Sequence, residues 1–289
     1  MIQVGRAVAE ALAAGRPVVA LETSIVAQGL PPPHNLRAAF GCEDAIREAG
    51  AVPATVAVLA GRFKVGLERD EIEALAADET AVKVSARDLG WALTTGRSGA
   101  TTVAATVRAA HLAGIRFFAT GGIGGVHRGN PDDVSADLEE IARAPVAVFC
   151  AGAKMILDLP RTLERLGSLG VPVLGYETDE FPAFYSRRSG LHVARVDGAD
   201  QVAATLRAGW ELGGKGVVVA IPPPLELPGA EGIVEQAVQE VGHIEGPSLT
   251  PRLLARIADL SGGRSVEVNV DLVVNNARVA AACAAAFVN

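Results

Sequence analysis

Three places in this chain hold residue types that could do covalent chemistry: a glutamate at Glu22, an acidic and hydroxyl-bearing run at Asp133, Ser135 and Asp137, and a lysine at Lys154. Lys154 stands in VFCAGAKMILDL, directly after an apolar run. An amine just past a buried strand loses part of its hydration, which favours the neutral form and frees it to attack a carbonyl. The same position also suits a lysine whose stem is buried while its head reaches water. Lysine is scarce here, with four (Lys64, Lys83, Lys154, Lys215) among 26 Lys and Arg residues. A GC-rich coding bias would turn surface lysines into arginines. It would spare a lysine whose amine must lose its proton, because guanidinium cannot do so. Lys83, in AVKVSARDL, shares the character of Lys154 more weakly. Lys215, in GGKG, lacks the Ser or Thr of a phosphate-binding P-loop and reads as a helix C-terminal cap. Lys64 has no assignment. Glu22 follows the apolar run VVAL and is flanked by Thr23, Ser24 and the loop GLPPPHN. It reads as a general acid/base or as a plain strand-end charge.

The stretch Phe117–Leu159 joins most of these groups. Its TGGIGGVHRG loop has G-x-G but His127 where a dinucleotide fingerprint needs a third glycine, and no helix follows at once. It reads instead as a loop that approaches a phosphate through backbone amides, with His127 and Arg128 nearby, or as a tight connection needing positive φ. A helix is expected over Pro131–Arg143, opening at Asp133 or Ser135. The first-turn N–H groups of Ser135, Ala136 and Asp137 would form an anion site. Asp133 and Asp137, four apart, could share a divalent ion or simply serve the helix dipole. No His/Cys spacing indicates zinc.

The elements that must position these groups alternate helix and strand along the chain. Helices are expected over Val4–Ala14, Leu36–Ala49, Glu68–Ala77, Ala100–Ala113, Arg161–Leu169 and Ala199–Leu212, with two or three more after Glu231. Strands are expected at Pro17–Leu21, Ala54–Ala60, Ala81–Ser85, Ile115–Ala119, Val146–Cys150, Val171–Tyr176 and Gly216–Ile221. These runs are continuously apolar rather than alternating, as in a mostly parallel sheet covered on both faces. The expectation is one three-layer α/β/α domain over residues 1–289, without linker or repeat. Ligands then sit beyond the C-terminal strand ends, where Glu22, Thr120 and Lys154 fall.

The totals narrow the function classes. A net charge of −7 and a pI of about 5.3 argue against a nucleic-acid partner. The N-terminal residues read as an amphipathic helix and a strand rather than a signal, and no apolar run approaches the ~20 residues of a membrane span. Three scattered cysteines, Cys42, Cys150 and Cys283, fit reduced thiols in a cytoplasmic protein.

Together the segments ALETSIVAQGLPPPHN, KVSARDL, GATTVAATVRAAHLAGI, FFATGGIGGVHRG, DVSADLEE, VFCAGAKMILDL, GYETDEFPAFYSRRSG and VNNARVAA resemble the pseudouridine-5′-phosphate glycosidase family, also known through indigoidine synthase A-like proteins. They run in family order from Leu21 to about Ala281. The NPDD linker is shorter than in some members. The resemblance implies reversible cleavage of the C–C glycosidic bond of pseudouridine 5′-phosphate to uracil and ribose 5-phosphate, with a divalent metal, typically manganese, in a homotrimer. It implies that Lys154 is the nucleophile forming a Schiff base with ribose C1′, that Glu22 is the proton donor, and that Asp133 is the metal ligand. It also implies substrate contacts from Lys83, Ser135, Ala136, Asp137 and the main chain of Val103, with Thr120, His127 and Asn276 as further pocket residues. The types make sense, since a C–C bond offers no leaving heteroatom for a pair of carboxylates to protonate.

Overall fold

In the computed structural model, which describes residues 2–242 and 249–288, the apolar runs pair as parallel strands. The strands are β1 (Ile2–Val4), β2 (Val18–Leu21), β3 (Val52–Leu59), β4 (Arg62–Val65), β5 (Val82–Val84), β6 (Gly99–Thr101) and β7 (Phe117–Ala119). Then come β8 (Val126–His127), β9 (Asn130–Val134), β10 (Ala147–Cys150), β11 (Leu157–Asp158), β12 (Val173–Tyr176), β13 (Ala194–Val196) and β14 (Val217–Ala220). The large sheet runs β1-β4-β3-β2-β7-β10-β14-β12-β13, with β6 joined to β3 and β5 to β6. From β3 to β13 every neighbouring pair is parallel. β4 and β6 lie antiparallel to β3. β8, β9 and β11 form a separate small antiparallel sheet.

Central strands such as VVAL, AVFC and VVVA are buried along their whole length, so both faces need cover. Helices His34–Glu48, Gly198–Glu211 and Arg264–Val288 pack together on one side, and Arg6–Ala13 and Val103–Ala113 lie against the other. The C-terminal helix is, at 25 residues, long and apolar enough to cross a membrane by length and composition. Here it is a core helix, with Ser265, Asn269 and Asn276 buried in its packed face. Phe287 near its end stacks edge-on against Phe117 and Trp210. Arg207 closes its last turn by donating to the carbonyls of Ala286 (2.7 Å) and Phe287 (3.1 Å).

The expected helices and central strands are present with ends shifted by a few residues, and seven short strands (β1, β4, β6, β8, β9, β11 and β13) are additional. β1 takes Val4, the first residue of the expected N-terminal helix, with Ile2 and Gln3 before it, because all three pair with β4. β4 itself was not expected, and it settles Lys64, whose ammonium pairs with Glu71. β6 occupies the start of the expected helix Ala100–Ala113, because Gly99 and Ala100 complete ladders with β3 and β5. β13 emerges from the segment after Tyr176. The helix expected over Pro131–Arg143 takes the second of its two offered starts. Ser135 is its N-cap and Ala136–Arg143 its body, while Asp133 lies on β9, pairing back on β8. Lys215 meets the preceding helix through its carbonyl, which accepts the Trp210 indole N–H at 2.7 Å, rather than through its ammonium.

Candidate active site

β2 and β7 are neighbours with Leu21 opposite Ala119, so Glu22 and Thr120 leave the sheet side by side. The Thr120 hydroxyl donates to Glu22 Oε1, and Ser24 Oγ donates to Oε2. Behind them, Thr23 and Thr101 both donate to the Val56 carbonyl at 2.7 Å, and the Thr101 N–H donates to Thr23 Oγ1 at 3.0 Å. This knot of hydroxyls fixes the ends of β2 and β6 against β3. Burial dominates the electrostatics of Glu22 and pushes its carboxyl above the ordinary range near 4.5; the Lys154 charge and the two hydroxyls pull the other way, and Asp137 adds to the rise. A carboxyl that holds its proton beside a lysine can act as a proton donor.

Lys154 lies in the loop after β10, zipped to the loop after β7. Its N–H donates to the Ile123 carbonyl at 3.1 Å, Ile123 N–H donates to Gly152 O at 3.1 Å, and its own carbonyl accepts from Leu157 N–H at 2.9 Å. The Arg128 guanidinium donates to the carbonyls of Met155 (2.7 Å) and Leu157 (3.1 Å). Arg128, expected beside a phosphate, therefore acts as a clamp on the turn that carries Lys154. Lys83 reaches the same centre from β5. Partial desolvation first, then the Lys154 charge, holds its ammonium below the ordinary lysine range, with Asp137 and Glu22 opposing.

Asp137 links the remaining parts. Its Oδ1 accepts from Ala104 N–H at 2.9 Å in the first turn of Val103–Ala113, and its Oδ2 accepts from Gly124 N–H at 2.8 Å. Two helix N-termini and the glycine loop thus converge on one buried carboxylate. Val103, next to Ala104, is thereby placed at this junction. The glycines at Gly121, Gly122, Gly124 and Gly125 are not there for positive φ, since none adopts it. Gly124 is required by close approach: a Cβ there would sit 2.3 Å from Ser135 Oγ and 2.8 Å from Asp137 Oδ2. Gly124→Ala is expected to lower the unfolding free energy by about 1–3 kcal/mol, measured by urea unfolding. An unchanged midpoint would mean that Ser135 and Asp137 move aside freely.

A buttress that the sequence did not reveal lies in the segment after Tyr176. Phe184 adopts a φ of 62°, a strained value for a bulky residue, donates its N–H to Ala151 O at 2.9 Å, and lays its ring on Gly122. Gly152 has φ 81°, and a Cβ on it would meet Pro182 O at 2.0 Å. The loops after β7 and β10 are therefore held by Pro182 and Phe184. An aromatic in a run such as EFPAFYS carries no local signal of that role.

The structure thus brings Glu22, Lys83, Thr120, Asp137 and Lys154 together. Val103, Ser135 and Ala136 sit at the adjoining helix starts, and Asn276 reaches in from the C-terminal helix. The Asn276 side-chain amide donates to Thr120 O at 2.8 Å, fully buried, and its Oδ1 has no partner among the described residues. His127 and Asp133 form a separate pair on the small sheet, with Nδ1 4.0 Å from Oδ2. The four-residue spacing suggested that Asp133 and Asp137 could share an ion. That reasoning needed both on one helix, whereas Asp133 is on a strand and both Asp137 oxygens already accept backbone N–H groups. Among the described residues no cluster of three or more His, Cys, Asp or Glu side chains forms a metal cage. Half-exposed Asp133 still fits a hard divalent ion that keeps most of its water shell and is held by one carboxylate plus ligand oxygens.

Residues 7–286 match the family model described as indigoidine synthase A like protein. A pseudouridine-5′-phosphate glycosidase of Paracoccus denitrificans is 53% identical over 96% of this chain and 95% of its own. One of Nocardioides sp. is 54% identical over 96% and 94%. Among solved structures, a prealnumycin C-glycosynthase in complex with ribulose 5-phosphate superposes with a TM-score of 0.90 at 39% identity, covering 100% of this chain and 97% of its own. An indigoidine synthase A-like protein of Thermotoga maritima gives 0.92 at 31%, with the same coverage.

Proposed function

The chain belongs to the indigoidine synthase A-like family, and on that premise we propose that it is a pseudouridine-5′-phosphate glycosidase working through a Schiff base on Lys154. The observation that carries this reading is the convergence of Glu22 and Lys154, which follow β2 and β10 on either side of β7, with Thr120 from the end of β7 bonded to Glu22 Oε1. The Lys154 amine adds at C1′ of the ribose, and O4′ leaves as the C4′ hydroxyl. The nitrogen lone pair then forms C=N as the C1′–C5 bond breaks, and its electron pair goes to uracil C5, which takes the Glu22 proton. Water adds to the iminium, releasing ribose 5-phosphate and restoring the amine. Thr120 and Ser24 orient the Glu22 carboxyl throughout. Lys83 and the helix starts at Val103 and at Ser135, Ala136 and Asp137 would contact the substrate phosphate and sugar, using remote binding energy for orientation. His127 and Asn276 would border the pocket. Asp133 would hold a divalent ion, manganese in this reading, which supplies charge neutralisation for the phosphate side of the substrate when bound. The same reading carries with it a homotrimeric, cytoplasmic enzyme acting on a small phosphorylated substrate.

Uracil with ribose 5-phosphate is expected to give pseudouridine 5′-phosphate, faster with manganese than after chelation. Borohydride added with ribose 5-phosphate is expected to fix a sugar on Lys154, located by peptide mass spectrometry. A folded, metal-loaded sample without adduct rules out the Schiff-base route. Failure to accept uracil while a sugar adduct forms would point instead to C-glycoside chemistry on another carbon nucleophile, as named for the C-glycosynthase neighbour.

A further inference from the structure

A cavity of about 20 Å³ is bordered by Glu22, Thr120, Cys42, Thr55, Ala39 and Val273, and Lys154 is not among its lining residues. That is room for one water, which needs two or more polar partners to be held. Glu22, Thr120 and Thr55 are the residues on its border whose carboxyl and hydroxyl groups could serve as those partners. Thr55 Oγ1 in turn donates to Glu43 Oε1 at 2.7 Å, deep under the helix His34–Glu48. The other Glu43 oxygen accepts from Arg47 Nη2 at 2.9 Å, and Arg47 is half-exposed. Cys42 lies within reach of both carboxylates; burial, then the charges of Glu43 and Glu22, hold its thiol up so that it keeps its proton.

We propose that Thr55 and Glu43, with a water in this cavity, form a rear proton route that exchanges the Glu22 proton with solvent while substrate occupies the front of the site. The proposal rests on the glycosidase reading. In the synthetic direction Glu22 takes the proton of uracil C5 as the C–C bond forms. It passes that proton to the water, the water passes one of its own to Thr55 Oγ1, and the Thr55 hydroxyl proton moves to Glu43. Glu43 releases a proton to bulk water at its Arg47 edge, and the reverse sequence recharges Glu22 for cleavage. The existing donation from Thr55 to Glu43 already points in the outward sense.

The test is to supply [5-³H]uracil and ribose 5-phosphate to the whole enzyme and compare tritium released to water with pseudouridine 5′-phosphate formed. With a rear route, bound Glu22 exchanges before product leaves, and reversal returns unlabelled uracil, so the ratio exceeds one in wild type. Thr55→Val and Glu43→Gln are expected to bring it down to one, a fall of about threefold or more, while Thr55→Ser keeps the wild-type ratio. Ala39→Val, which fills the cavity and touches none of these hydrogen bonds, is expected to act like Thr55→Val and covers the case in which a polar variant fails to fold. A ratio is independent of how much enzyme is active, so a purely structural role would not move it. A wild-type ratio of one, or a ratio unchanged in the variants that turn over, overturns the route. A wild type that makes no pseudouridine 5′-phosphate overturns the functional reading itself, and the route with it.

Discussion

Lys154→Ala is expected to cut uracil release from pseudouridine 5′-phosphate by about 10⁴- to 10⁶-fold, the range typical of removing a covalent nucleophile. The size follows from what would remain. Glu22 could still offer a proton, and the helix N-termini could still hold an anion. With no amine at C1′, however, nothing accepts the electron demand when the C–C bond breaks. Among the described residues Lys83 is another amine that feels the charges of this centre, and it approaches from β5 rather than from the loop after β10. Lys154→Arg is expected to be as inactive as alanine, because guanidinium keeps its charge. The measurement is single-turnover uracil release, with binding of ribose 5-phosphate followed separately. Activity within tenfold of wild type would remove Lys154 from the chemistry.

Glu22→Gln is expected to lower cleavage by about 10²- to 10⁴-fold, the usual contribution of a positioned acid, while making the protein more stable near neutral pH. The sign follows from linkage. The folded-state pKa of Glu22 lies above the ordinary value of 4.5, so between the two the folded chain binds more protons than the unfolded one. The stability this acid contributes is complete below about pH 4.5 and declines as pH rises through the elevated value. Glutamine carries no charge to bury, so thermal unfolding of the variant should match wild type in acid and exceed it at neutral pH. In wild type, cleavage should likewise fall as pH rises through the raised pKa, because the donor form is lost. A variant less stable than wild type at neutral pH would mean that the pairing with Lys154 outweighs burial.

Much of this arrangement was legible in the sequence. VVAL and AVFC are too apolar and too short for anything but strands buried on both faces, and in a parallel sheet their ends gather at one edge. That alone places Glu22, Thr120 and Lys154 in one region. What was not legible depends on partners distant in the chain. β6 is three residues long, and nothing in GAT marks it as a strand until β3 and β5 are beside it. Asp133 and Ser135 both suit a helix start, and local sequence does not choose between them. The pairing of Asn130–Val134 with β8 takes Asp133 into a strand and leaves Ser135 as the cap. The glycine loop looked like a phosphate cradle or a left-handed turn. The left-handed turn fails, since Gly121, Gly122, Gly124 and Gly125 have no positive φ, and Ser135, Asp137, Thr162 and Phe184 press too close for a Cβ at the last three. The wall behind Glu22, from Thr55 to Glu43, joins a strand to a helix and leaves no motif.

The bond from Asn276 to the Thr120 carbonyl has a consequence for the life of the chain. The Thr120 hydroxyl bonds Glu22, while its carbonyl is held by a side chain 156 residues further along, on the helix Arg264–Val288. The surroundings of Glu22 are therefore complete only once the chain has been made as far as Asn276. A nascent chain carries Glu22 and Lys154 well before that bond can form. On the proposed mechanism, the site stays unassembled until the helix Arg264–Val288 has docked.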